Sequence, residues 1–305
     1  MKVALVLKGD IRALGHFHKA YRELQEALPG FEFELHESLA PGHAIALAQH
    51  ACTDSDYLVA VGGDGTVNEV LNGAMLAGGT PPPLGVLAYG TANDLARTMQ
   101  IHGSVHELIA LLAGDTRHPI DVGLLHCTDS ENPSKQRYFL NAADIGIGAE
   151  VVRHLQDRRH LVGSNLHYLR SIISSLRAYE HRELRVTSDL GLDWTGRSLA
   201  LVAGNGRYCG SGLCVAPGAR LDDGELLVTL VGDASTWDFL RNLGHLKRGE
   251  LLEHPAVSYH NAHSLSVEHQ DQPARVEVDG ELLGFTPLQI EVLPRAVEFL
   301  MPAPA

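Results

Sequence analysis

Val61-Gly62-Gly63-Asp64-Gly65-Thr66-Val67-Asn68-Glu69-Val70 closes an apolar run, turns on glycines and opens an amphipathic segment. A strand that ends in a glycine turn ahead of a helix brings free backbone amides and the positive end of the helix dipole to one point. Glycine lets that backbone approach an anion closely. The stretch reads as a phosphate cradle built from Gly62, Gly63, Gly65, Thr66 and Asn68, with Val67 between them. Asp64 would repel a polyphosphate unless a cation stood between the two, so its presence implies Mg2+, held directly or through water. The same residues also read as a tight strand-to-helix connection capped by Thr66, and a glycine motif standing alone does not choose between these readings.

Outward from this point, residues 1–120 alternate short apolar runs with helix-length amphipathic segments, the pattern of βαβ units and a parallel sheet. Strands are expected at 3–7, 31–35, 57–61 and 84–87, and helices at about 17–28, 42–52, 68–77 and 93–99. Pro29-Gly30 and Gly78-Gly79 supply two of the helix stops. Beyond Asp121 the pattern changes to short strands separated by turns, at 138–141, 184–188, 199–203 and 226–231, which predicts an antiparallel sandwich or barrel. Helical stretches at 151–179 and 235–248 interrupt it. The expected division is an α/β nucleotide-binding domain at 1–122 with a Rossmann-like parallel sheet, then a β-sandwich at 123–305 whose C-terminal tail is free to return to the first domain.

Composition sets limits. At 305 residues, 45% hydrophobic and 20% charged, the chain suits two ordinary globular domains. No run of 18 apolar residues occurs and the N-terminus has no signal-peptide pattern, so the reading is a soluble or peripheral protein of the cytoplasm. Cys52, Cys127, Cys209 and Cys214 have no CxxC or metal-ligand rhythm. A net charge of −13 argues against nucleic acid as a partner. The 18 histidines form no HExxH, and no zinc is assigned.

A second glycine motif, Gly85-Val86-Leu87-Ala88-Tyr89-Gly90-Thr91-Ala92-Asn93-Asp94, again follows a strand and opens a helix. Three further segments come in order: Asn141-Ala142-Ala143-Asp144-Ile145-Gly146-Ile147-Gly148, Ala216-Pro217-Gly218-Ala219-Arg220-Leu221-Asp222-Asp223-Gly224, and Val276-Glu277-Val278-Asp279-Gly280-Glu281. Together the five resemble the bacterial branch of the diacylglycerol/sphingosine lipid kinase family over nearly the whole chain. The resemblance implies that family's fold, with an active site in the cleft between domains, ATP and Mg2+ as reactants, and a membrane lipid as acceptor. It places Thr91 and Ser38 near the nucleotide. It favours Glu281 as the base that takes the acceptor's proton, with Asp279 beside it, and implies a second, structural Mg2+ held by Asp223 and by backbone carbonyls of Arg220 and Glu225. Asp94 and Asp121 match family aspartates linking that ion to the nucleotide. Two departures stand out: Lys8-Gly9-Asp10-Ile11-Arg12 replaces the family's Asn-Pro-x-x-Gly turn, and Ala88-Tyr89 replaces a Pro-Leu pair.

On pattern alone Asp279-Gly280-Glu281 is also an Asp-Gly hairpin turn, and Asp222-Asp223-Gly224 a surface turn. NAD kinase shares the GGDG loop, though Gly90-Thr91-Ala92-Asn93-Asp94 suits the lipid branch better; a catalytically silent binder is the remaining rival. Residues 151–185 hold seven arginines against three acids, +4 within a chain at −13. Basic amphipathic helices there would rest on anionic headgroups, or pack on the sandwich with a solvated arginine face. A homodimer is compatible with the sequence, which is silent on it.

Overall fold

The computed structural model describes residues 1–129, 134–157, 174–175 and 178–302. Arg158, Arg159, Arg170 and Arg177 of the basic stretch, with Leu161, Val162, Leu166, Leu169, Ile172, Ile173 and Leu176, lie outside them. The chain divides into two compact units: Met1–Val122 joined by the residues from Pro294 onward, and Gly123–Leu293.

In the first unit the chain runs β1 (Lys2–Leu7), α1 (Gly15–Ala27), β2 (Glu32–Glu37), α2 (His43–Ala51), β3 (Tyr57–Gly62), α3 (Asp64–Leu76), β4 (Leu84–Ala88), α4 (Asp94–Thr98) and α5 (Val105–Ala113). β1 lies between β2 and β3, and β3 pairs β4, all in parallel. Val3 to Leu7 are buried without a break, as are Tyr57 to Gly62, because a central parallel strand is covered on both faces and needs apolar side chains on both. β2, at the edge, alternates exposed and half-buried positions. The core beneath joins Leu5, Leu7, Phe17, Val59, Val61, Leu108 and Leu112.

In the second unit come β5 (Arg117–Thr128, which begins in the first), β6 (Lys135–Phe139), β7 (Ala142–Gly146), α6 (Ile147–Asp157), β8 (Arg182–Ser188), β9 (Asp193–Ser198) and β10 (Ala200–Gly204). A small hairpin, β11 (Tyr208–Cys209) with β12 (Leu213–Cys214), precedes β13 (Leu226–Val231), α7 (Thr236–Arg248), β14 (Val257–Ala262), β15 (Ser264–His269) and β16 (Arg275–Val278). The last strand, β17 (Glu281–Leu300), is 20 residues long. One path runs β14-β13-β10-β7-β16-β17; from β17 a second passes through β15 to β8 and β9, and β5 and β6 also pair from it. The register-defined pairings among these strands of the second unit are antiparallel. Leu125, Phe139, Ile145, Val186, Leu201, Val228, Val267 and Ile290 fill the sandwich. The end of β17 belongs to the first unit, where Phe299 pairs in parallel with Leu84 of β4.

Candidate active site

The strand order β2-β1-β3-β4 reverses direction between β1 and β3, and in open α/β sheets ligands bind outside the carboxyl ends of the strands at such a switch point. The loops there are Lys8 to Arg12 after β1 and Gly62-Gly63 after β3. α3 starts at Asp64, four residues earlier than the sequence predicts, with Gly63 in extended conformation as its N-cap. Asp64, Gly65 and Thr66 therefore form the first helical turn, and the amides of Asp64 and Gly65 are among those a helix leaves without an intrahelical acceptor. Thr66 and Val67 donate backward to Gly63 O at 2.9 and 3.1 Å. Asn68, 1% exposed, lies a turn further in, where its Oδ1 accepts Asn72 Nδ2 at 3.1 Å.

The second glycine motif is brought against the first. Tyr89 N donates to Gly62 O at 2.8 Å. A Cβ on Gly63 would lie 2.9 Å from Gly90 Cα, and one on Gly90 would overlap Gly63 in turn, so the two loops meet backbone to backbone only because both residues are glycine. Asn93, left-handed at φ 50°, donates from Nδ2 to Gly90 O at 3.0 Å and caps α4. Asp64 spans the two motifs: its Oδ1 accepts Leu95 N at 3.1 Å, a helix cap supplied from another loop. Thr91 is exposed beside this junction. Tyr89 is committed to packing, its ring stacked on His16 at 5.0 Å and edge-on to Phe17.

Ser38 supports the loop after β1, its Oγ accepting Gly9 N at 3.2 Å. That loop closes in a short 3-10 turn at Ile11–Ala13, entered through Asp10 at φ 70°. Asp94 is 4% exposed, with Arg97 Nε at 4.0 Å, and fully buried Asp121 accepts Arg295 N at 2.7 Å, which anchors the returning strand.

In the second unit Asp279 and Glu281 separate in character. Asp279 and Gly280 both have positive φ, at 48° and 86°, and turn β16 into β17. The Asp279 carboxylate accepts Leu140 N, Asn141 N and Ala142 N at 3.0–3.1 Å, so it holds the loop that opens β7. Glu281 lies just past the turn, 42% exposed at its side chain, and accepts Arg137 Nη2 at 2.8 Å. The hairpin and the candidate base thus coexist in one turn. At the acidic turn, Asp223 Oδ1 accepts Glu225 N at 3.1 Å, Arg220 Nε reaches Asp222 at 3.3 Å, and the Glu225 side chain accepts Asn261 Nδ2. Among the described residues no three His, Cys, Asp or Glu side chains gather in a metal-binding group, so a cation here would rest on Asp223 and carbonyl oxygens.

The same unit contains a largely apolar cavity. Leu199, Val202, Leu213 and Val231 line it from the sheet side, and Phe239 and Leu246 of α7 from another. Two acids also line it. Glu277, 1% exposed, and Asp144, 8% exposed, are direct partners across β16 and β7. Burial, and secondarily the Asp144 charge, holds the Glu277 carboxyl well above the usual range; burial pushes Asp144 up to about 7. The sequence pattern marked both segments without marking these acids, because the pairing joins strands more than a hundred residues apart.

Residues 12–125 match the diacylglycerol kinase catalytic domain, and residues 141–301 the YegS C-terminal NAD kinase beta sandwich-like domain. The diacylglycerol kinase of Staphylococcus haemolyticus (strain JCSC1435) is 28% identical over 279 residues, 90% of this chain and 79% of its own. That of Staphylococcus aureus (strain JH9) is 28% identical over 292 residues, 92% of this chain and 87% of its own. Among solved structures, a diacylglycerol kinase from Bacillus anthracis str. Sterne shares the fold with a TM-score of 0.72 at 22% identity, over 99% of this chain and 97% of that one. Yeast NADH kinase complexed with NADH shares it more distantly, with a TM-score of 0.53 at 12% identity over 98% and 82%. Both parts of the chain are matched in order, and the glycine loops, the Asp-Gly-Glu turn and the sandwich occupy their expected elements: the chain belongs to the diacylglycerol kinase family of lipid kinases.

Proposed function

We propose that this lipid kinase transfers the γ-phosphoryl group of ATP to a hydroxyl of a membrane lipid, with Mg2+ and at the membrane surface. The observation that carries the lipid half of this reading is the apolar cavity, whose walls suit acyl or alkyl chains and offer a soluble dinucleotide little to bond. The nucleotide half is supported by the paired glycine loops and the amides of the first turn of α3. Gly62, Gly63, Gly65 and Thr66 cradle phosphates in this reading, with Thr91 beside them, Ser38 holding the neighbouring loop, and Val67 and Asn68 setting the turn from behind.

The donor set suits a hard cation. Asp64 uses Oδ1 on Leu95 N, and its Oδ2 has no hydrogen bond among the described residues. Asp64 would hold Mg2+, and the ion would neutralise charge that develops on the phosphates. A second, structural Mg2+ would rest on Asp223 with the carbonyls of Arg220 and Glu225, an all-oxygen set.

Glu281 acts as general base. Its carboxylate takes the hydroxyl proton while the acceptor oxygen bonds to the γ-phosphorus and the bond to the bridging oxygen breaks, releasing ADP. Arg137 holds Glu281 in place. Asp279, with its carboxylate committed to three amides, is a positioning residue for the Asn141 loop.

Incubation with γ-labelled ATP and diacylglycerol, a sphingoid base, ceramide or phosphatidylglycerol in mixed micelles, beside NAD and a no-acceptor control, tests the proposal. Label on a lipid that depends on Mg2+ and on ATP is expected. Label on NAD alone, or ATP hydrolysis without a phosphorylated lipid, would refute it.

A further inference from the structure

The cavity is not uniformly apolar, and its polar part has a definite chemistry. Asp144 Oδ2 faces the amide of Gly148, and a Cβ on residue 148 would overlap the carboxylate, so only glycine there leaves room for it. Asp144 Oδ1 is fully buried and has no hydrogen-bond partner among the described residues. Glu277, its direct cross-strand partner, accepts Gly280 N at 2.6 Å and faces Cys209 Sγ at 3.6 Å. Side chains directly opposed on adjacent strands have Cβ atoms roughly 5 Å apart, so these acids share one spot on the wall.

Two carboxyls so close in an apolar wall need either a shared proton or a cation. Among the described residues, the charged groups next to the pair on β16, α6 and the cavity wall have partners of their own. Arg275, two residues before Glu277 on β16, donates to Glu150 at 3.1 Å, and Arg153 donates to the same carboxylate at 2.7 Å. Asp238, a third acid on the cavity wall, is taken up by Ser235 and by His254 at 3.6 Å.

Resting on the lipid-kinase reading, we propose that Asp144 and Glu277 receive the ammonium group of a long-chain amino alcohol whose hydrocarbon tail fills the cavity. A neutral glycerolipid of similar chain length has no positive group to offer the pair. The acids thereby set acceptor preference toward an amine-bearing alcohol, and they act as binding residues rather than as bases in the transfer.

Equilibrium binding of 2-aminododecan-1-ol and of dodecan-1-ol, measured without nucleotide by intrinsic tryptophan fluorescence, separates charge from chain. The amine should bind at least about tenfold tighter than the alcohol at neutral pH. Asp144→Asn and Glu277→Gln should each abolish that preference while leaving dodecan-1-ol affinity within about twofold. Equal affinity of the wild type for the two probes would overturn the proposal even if a variant failed to fold, and so would a preference unchanged in either folded variant. Because binding is read without ATP, a protein that phosphorylates no lipid would refute the kinase reading and leave this result intact. Phosphorylation of 1,2-dioctanoylglycerol in a protein that shows no amine preference would do the reverse.

Discussion

Asp64 serves two purposes, and substitution separates them. Asp64→Ala removes the cap on Leu95 N, worth about 1 kcal/mol, so a modest fall in Tm should accompany complete loss of lipid phosphorylation. Asp64→Asn, which can still accept that hydrogen bond, should recover most of the stability and none of the turnover. Thermal unfolding and a labelled-ATP assay on both variants decide the matter; activity that returned with stability would make Asp64 purely structural. Glu281→Gln keeps a partner for Arg137 but cannot take a proton, so kcat should fall by about 10²-fold or more with ATP affinity nearly unchanged, and a near-normal rate would remove it as the base. The residue types and order of these motifs were legible in the sequence because glycine and aspartate carry their meaning locally. Asp279's grip on three amides was not, since the loop it holds lies about 140 residues earlier.

At the scale of elements, the contact between the glycine loops makes a direct prediction. Gly63→Ala puts a methyl group 2.9 Å from Gly90 Cα and forces the loops apart, a strain on the order of 1–3 kcal/mol. The Kd for ATP, measured by titration with a fluorescent analogue, should rise at least about tenfold; an unchanged Kd would mean that the cradle lies elsewhere. Elements with a single strong period were readable: β3 and β13 fall where the apolar runs predict them, within a residue. The sequence places the start of α3 at about Asn68, past the glycines; the helix begins at Asp64, where Thr66 N and Val67 N already donate to Gly63 O. α5 is absent from the expected helices although its cap is written in the sequence: Ser104 accepts Glu107 N at 3.3 Å, and the Glu107 carboxylate takes His102 N and Gly103 N at 2.8 Å. The Asp-Gly hairpin implies a strand after it but not one of 20 residues, since Gly284, Pro287 and Pro294 punctuate β17 like a string of turns.

For the molecule as a whole, the buried acids set a pH dependence. Asp144 titrates near 7 when folded and near 3.8 when unfolded, so the unfolded chain binds fewer protons between those values and stability falls as pH rises through that window. Glu277, also raised by burial, acts in the same direction. Denaturant melts from pH 4 to 7 should show a decline that one such group can drive at up to about 1.4 kcal/mol per unit, and Asp144→Asn should flatten it. An unaltered profile would show that Asp144 titrates normally. No helix among the described residues is long and apolar enough to cross a membrane. The course of β17 has one more consequence. Phe299, Leu300 and Met301 are at most 4% exposed and complete the sheet and core of the first unit beside β4. A ribosome delivering this chain from its N-terminus cannot finish the nucleotide-binding unit until these residues have left the exit tunnel, long after β1 to β4. Until then β4 presents an open edge, so the first unit completes its sheet only after the second has been synthesised.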